Sequence, residues 1–276
     1  MDGDRLLAQA RGLTVTAYDC APLANIPVTI KREYVPDSGG HPHLVSGNTT
    51  PPVADILDIA APSGVTNASG IYTTEVKGMN IAGHLKITAE STGVVPGVTT
   101  KSQPFGLHVG FNNLVDLAPL DEPDLAGYLR LTGHNAATCA GTGCDNHRDL
   151  SHYAAPEMAG FLLDMAKEYN DTVGPAVIGV NDISLPDGGL FDIDGTWSPS
   201  HWYHRIGCGV DIDKTALNPE TGADVVLDIY KLTLIVEALG GSKVPEGPVH
   251  YELPADVQDA VLGNAGWSHV VSGVTR

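Results

Sequence analysis

The feature that most constrains this chain is a change of hydrophobic period part-way along it. Residues 12–30, GLTVTAYDCAPLANIPVTI, alternate apolar with polar positions and are rich in Val, Thr, Ile and Tyr. A period of two puts the apolar side chains on one face of an extended segment, as a half-buried strand requires. The interruption DCAPLAN is turn chemistry and predicts a hairpin between the two flanking strands. GVTNASGIYTTEVKG (64–78) and HLKITAES (84–91) repeat the pattern with Gly, Asn and Ser punctuation. No helical period occurs before the acidic, Pro-containing stretch LVDLAPLDEPD (114–124), which reads as a linker. Beyond it, in AAPEMAGFLLDMAKEYN (154–170), Met158, Phe161, Leu162, Met165 and Ala166 fall at helical spacing, with Pro156 and Glu157 suited to a first turn. AVIGVNDISL (176–185) reads as a buried strand and VVLDIYKLTLIVEALGG (225–241) as a helix ending at Gly240 and Gly241. GPVHYEL (247–253) reads as a strand and PADVQDAVLGNAG (254–266) as a last helix. A chain of 276 residues exceeds the usual size of one core. The expectation is an all-β sandwich over 1–120, followed over 121–276 by an α+β domain with a small antiparallel sheet flanked by helices.

In the first half, the pattern V-x-x-x-D-x-x-P-L-x-x-x-P-V (15–28) followed by GVTNASGIY (64–72) resembles the prealbumin-like or immunoglobulin-like modules found beside many secreted bacterial enzymes. The resemblance covers residues 12–118 and implies a module that binds or positions and performs no chemistry. Residues 36–64, rich in Pro, Gly, Ser and Thr, read as a long insertion at the sandwich edge rather than a second core. Within it, His41 and His43 are either metal ligands or a solvated loop pair.

The charge balance narrows the partners. With 33 acidic against 15 basic residues, a net charge of −18, most of the surface repels a phosphate backbone or an anionic membrane, so nucleic acid is not expected. No run of 18 apolar residues offers a membrane span, and the opening MDGDRLLAQARG has neither the apolar stretch nor the cleavage site of a signal peptide. A secreted or periplasmic setting is nonetheless expected from the Gly/Ser/Thr-rich first half and the scarcity of Lys. The pair Cys139 and Cys144 in TCAGTGC, close enough to close a small disulfide loop, points the same way. The pairing of Cys20 and Cys208 and the oligomeric state are left open.

The stretch HWYHRIGCGVDID (201–213) carries the candidate chemistry. A zinc site needs neutral imidazoles and carboxylates at about 2.0–2.2 Å, and a catalytic one keeps a position for water. His204 and Asp211 are seven residues apart and would face opposite sides of one flat strand, but Gly207 and Gly209 allow a turn or close approach between them. His250 lies on a separate strand. The pattern H-x-x-G-x-G-x-D with a later V-H-Y-E resembles the lysostaphin, D-alanyl-D-alanine metallopeptidase and Hedgehog-like fold, and SLPDGGLFDIDGTW (184–197) resembles a segment that precedes such a motif in secreted bacterial proteins. The resemblance implies that His204, Asp211 and His250 hold Zn2+. Trp202, Gly209 and Pro248 depart from the family pattern, and the last of these leaves the general base unassigned.

Three residues compete for that role: Glu246 at the entrance of the strand, Glu252 on the same strand face as His250, and His201. Arg205 is a candidate to steady an oxyanion or clamp a carboxylate, as its planar fork suits. Asp211 with Asp213 could instead form a solvated strand end or a calcium-type oxygen cluster. Asp182, Asp187, Asp192 and Asp194 read mainly as a cleft-shaping loop, with Ser184 and Asp192 as secondary contacts, and His147 and His152 as cleft-side or packing residues. The common serine-hydrolase, zincin and nucleotide-binding motifs are absent. The function expected is zinc-dependent hydrolysis of peptide or peptidoglycan-type amide bonds in a peptide, cell-wall or other polymer substrate. The alternatives are a non-catalytic metal-containing binding module and a zinc hydrolase of non-peptide bonds.

Overall fold

The computed structural model describes residues 11–19, 21–36, 38–40, 51, 53–95, 97–111, 113–117, 128–131, 151–191, 197, 203–245 and 249–263. They are mostly β-sheet with few helices. They divide into two compact units, one within residues 11–38 and 51–110, the other within residues 39–40 and 111–263.

In the first unit, β1 (Arg11–Thr16) and the two-residue strands β2 (Tyr18–Asp19) and β3 (Ala21–Pro22) lead into β4 (Pro27–Tyr34). β5 (Leu57–Ile59), β6 (Ser63–Val65), β7 (Ile71–Gly78), β8 (Gly83–Val95), β9 (Val98–Lys101) and β10 (Phe105–Val109) follow. Apart from β2 and β3, which pair with each other, they form two antiparallel sheets, ordered β1-β7-β5 and β10-β8-β4-β6, with β9 also paired to β8. Alternation sets which side chains turn inward: Val28, Ile30 and Tyr34 on β4, Leu85 and Ile87 on β8, Leu57 and Ile59 on β5 and Tyr72 on β7 are buried. Each large apolar side chain so buried contributes about 1.5–3 kcal/mol. The Arg32 guanidinium donates to the Leu57 carbonyl, tying one sheet to the other.

Two expectations for this unit are corrected. The strands flanking DCAPLAN do not pair as a hairpin: β1 pairs with β7, whereas β4 pairs with β8 and β6. The intervening segment is a crossing between sheets, pinned by Thr66. Its hydroxyl donates to the Leu23 carbonyl at 2.6 Å and accepts from the Ile26 N–H at 2.9 Å, while Asn25 adopts φ 57°. The Asn67–Gly70 turn is a second crossing, from β6 to β7, with the Asn67 carboxamide oxygen accepting from the N–H groups of Ser69 and Ile71. Nor is the whole of 36–64 a peripheral insertion, because Ile56, Leu57 and Ile59 belong to the core and β5 forms a sheet edge. Short apolar runs embedded in turn-forming residues still drive burial.

The second unit comprises β11 (Val115–Asp116), β12 (Leu129–Leu131), β13 (Tyr153–Ala154), α1 (Pro156–Thr172), β14 (Ile178–Asp182), β15 (Gly209–Ile212), β16 (Thr215–Leu217) and β17 (Asp224–Val226). α2 (Ile229–Ala238), β18 (Ser242–Lys243), β19 (His250–Glu252) and α3 (Ala255–Gly263) complete it. The main sheet runs β12-β14-β15-β19-β18. It is mixed rather than antiparallel, because α1 lies between β12 and β14 in the chain and such a crossover returns the next strand parallel. On one face, Val180 shares a small cavity with Ala159, Leu162 and Leu163 of α1, and the Tyr251 hydroxyl lies 3.1 Å from that of Thr233 on α2. Alternation therefore turns Asp211, His250 and Glu252 to the opposite face.

The helix expected over 225–241 starts later. Val225 and Val226 pair with Ala216 and Thr215 in a two-stranded ladder, and Asp228 caps α2 by accepting from the Lys231 N–H at 3.1 Å. Cys139, Cys144 and Cys20 lie outside the described residues. Cys208 is a buried free thiol, which burial, with Glu157 and Glu252 nearby, pushes up to about 12. Among the described residues no helix is long and apolar enough to cross a membrane.

Candidate metal centre

His204 sits in the 3-10 turn Tyr203–Ile206, just before β15. The turn is closed by Gly207, whose φ of 70° favours glycine and whose hypothetical Cβ would stand 2.6 Å from the Ala155 nitrogen. The Gly207 carbonyl accepts from that same Ala155 N–H at 2.9 Å, so α1 begins against the turn. The imidazole of His204 donates from Nδ1 to the Ile183 carbonyl at 2.8 Å and packs against Phe191 with ring centres 4.8 Å apart. This bond holds the ring so that Nε2 faces Asp211, as a backbone carbonyl behind a metal-bound histidine does. Asp211 and His250 are directly opposite on β15 and β19.

The three side chains converge. His204 Nε2 is 3.2 Å from Asp211 Oδ2, His250 Nδ1 is 2.8 Å from Asp211 Oδ1, and all three ligand atoms lie within 4.8 Å of one another. Ligand atoms about 2.0–2.1 Å from a tetrahedral ion stand about 3.3 Å apart, so the two His–Asp separations are close to those that zinc requires. Two imidazoles and one carboxylate suit zinc and do not suit calcium, which takes six to eight oxygens. The histidines are 0% and 1% exposed and Asp211 is 20% exposed. Burial alone would push the His204 pKa down, but the hydrogen bond and charge of Asp211, with lesser help from Asp182 and the Ile183 carbonyl, raise it above its ordinary value. For Asp211, burial pushes the carboxyl up while the two histidines outweigh it and hold it well below the usual carboxylate range.

The other expected residues are distributed differently. Glu252 shares the His250 face, is buried, and accepts from Gln258 Nε2 at 3.4 Å, so the start of α3 holds it. Arg205 is buried beside His204, and burial lowers its pKa from the ordinary value. Glu246, His201, Asp192, Asp194, His41, His43 and His147 lie outside the described residues. Asp213 accepts from the Thr215 N–H and hydroxyl, both at 3.0 Å, and lies 3.8 Å from Arg130. His152 is a packing residue, its Nε2 lying 3.2 Å from the Val180 carbonyl. Ser184 is fully buried and pairs through its backbone with His152. Asp182, read from sequence as part of a loop, is instead the last residue of β14 and is buried opposite Asp211. A carboxylate inside the apolar run AVIGVNDISL was the available signal, since buried acids need a partner.

No family model and no curated protein matches this chain. Among solved structures, the D0-D1 domain of Intimin matches at 20% identity over 37% of this chain and 40% of that one. Its TM-score of 0.24 is too low to carry any argument about fold or function.

Proposed function

We propose that this chain is a zinc-dependent hydrolase of peptide or peptidoglycan-type amide bonds. The observation that carries the reading is the convergence of His204, Asp211 and His250 on one face of the main sheet, with ligand atoms within 4.8 Å. Zinc held there would act as a Lewis acid and lower the pKa of its water towards about 7. His204, held through Nδ1, and Asp211 and His250, held by strand register, would supply the donors after only a slight opening of the His–Asp contacts. Glu246, four residues before His250, is assigned to take the proton of the attacking water. Glu252 then orients from the strand face it shares with His250, and His201 is the remaining base in the flanking sequence. Arg205, beside the first ligand, is assigned to the developing oxyanion. A secreted or periplasmic setting and a cell-wall or other polymer substrate belong to the same proposal. Turnover of cell-wall fragments and peptides by the zinc-loaded protein tests it, with Glu246→Gln expected to keep zinc and lose rate. Absence of turnover on every amide substrate together with cleavage of an ester would move the reading to non-peptide bonds.

A second reading has its own support in the burial of the donors. Closed metal sites are usually structural, and two of the three side chains here are almost fully shielded. In that case the unit is a metal-containing binding module, and zinc removal lowers its melting temperature while no substrate turns over.

A further inference from the structure

The ladder between β14 and β15 is irregular where it reaches the candidate centre. Val180 is opposite Ile212, but Asp182 is opposite Asp211, so Asn181 and Asp182 together face one residue. A regular ladder would set Asn181 opposite Asp211 and Asp182 opposite Val210. Val210 and Ile212 are two apart and share a face, the face on which Val180 meets α1. The regular register would thus drive the Asp182 carboxylate into the apolar side of the sheet. The bulge turns it to the side that carries Asp211 and His250, which is a known use of bulges beside functional sites. Asp182 is 1% exposed and near enough to His204 for its charge to act on that imidazole. It is not one of the three groups whose ligand atoms lie within 4.8 Å of one another.

Charge gives this placement a purpose. Asp211 is the single anionic donor of the set, and with both histidines neutral as ligands a divalent ion would leave the buried centre one charge positive. Asp182 brings the sum to zero, since the charges of Arg205 and Glu252, also buried there, offset one another. Two carboxylates directly opposite on neighbouring strands repel one another in a poorly solvated place and so favour positive charge beside them. We infer that Asp182 is the charge-compensating carboxylate of this centre, aimed by the β14 bulge, and that it raises the affinity for a divalent transition-metal cation without being one of the ligands. This rests on the metal reading above.

The experiment is a zinc titration of the full chain against a chromophoric competitor, comparing wild type with Asp182→Asn, Asp182→Ser, Asp182→Glu and His204→Ala. His204→Ala is expected to lose tight binding. The two neutral variants are expected to keep one zinc per chain at an affinity about 10–100-fold weaker, the cost of losing an outer partner of a metal site. Asp182→Glu, which keeps the charge, is expected to recover most of that loss. A variant that does not fold without metal is compared by the zinc concentration that restores its far-ultraviolet signal, because metal binding and folding are then coupled. Zinc affinity in the neutral variants equal to wild type overturns the role of Asp182 and leaves the metal reading standing. No zinc binding by wild type brings down the metal reading itself.

Discussion

The two units bury their polar residues in different ways. In the first, the buried polar residues among those described are Thr66, Thr74 and His108, and the threonines serve the backbone: Thr66 pins a crossing and Thr74 accepts from the Ala61 N–H. In the second, Asp182, His204, Arg205, His250 and Glu252 are all buried, around the strands that carry the candidate centre. Local hydroxyl bonds are sufficient to hold a turn in place. A set of buried ionisable groups costs several kcal/mol of desolvation for each charge and persists where it has partners or a function.

The contrast breaks most decisively at the donors. His204→Ala, Asp211→Ala and His250→Ala should each abolish stoichiometric zinc, read by elemental analysis beside wild type. Retention of a full equivalent in all three would remove the centre from the second unit.

The pH dependence comes next. The His204 pKa is raised and that of Asp211 lowered. In the metal-free protein the His204 contribution to stability is complete below its unfolded value near about 6.5 and fades as pH rises through the raised folded value. The Asp211 contribution is present above its unfolded value near about 3.9 and fades as pH falls through the lowered one. The metal-free second unit should therefore gain most from this pair between about pH 4 and 6.5, as pH-dependent calorimetry would show. Zinc must displace the His204 proton, so its apparent affinity should rise by about tenfold per pH unit until that proton is gone. A flat profile would mean that His204 enters the complex already neutral.

Two glycines of similar φ differ between the units in what surrounds them. Gly207 in the second unit has φ 70° and backbone atoms within 3 Å of a Cβ, whereas Gly97 in the first has φ 76° and open space around it. Gly207→Ala should cost the upper part of the about 1–3 kcal/mol typical of backbone strain, and Gly97→Ala the lower part. Equal shifts in thermal unfolding would show that crowding at the His204 turn is relieved by movement. Smallest is the cap: Asp228→Ala should cost about 1 kcal/mol if α2 begins where its side chain meets the Lys231 N–H. No change would argue for a helix reaching back into Val225 and Val226.

The sequence makes the two periods legible, and with them most elements. The helical face of Met158, Leu162 and Met165 and the inward residues of β4 can both be read from spacing. At the centre, the resemblance carried by H-x-x-G-x-G-x-D and the later V-H-Y-E implies His204, Asp211 and His250 as a set, and the structure brings them together. Illegible were the strand partners in the first unit, the late start of α2, and the sheet face that receives Asp182. Each depends on contacts distant in the chain: Thr66 with Leu23, Val226 with Thr215, and Asp182 with Asp211.

What this sequence determines by itself is which side chains share a face, because that follows from the local geometry of strand and helix. It also determines which donors are available for a cation. The tertiary structure decided which strands pair, and a bulge of one residue in β14 decided which face received a carboxylate. Pairing energy is summed over residues far apart in the chain, and a shift of one position exchanges the two faces of a strand.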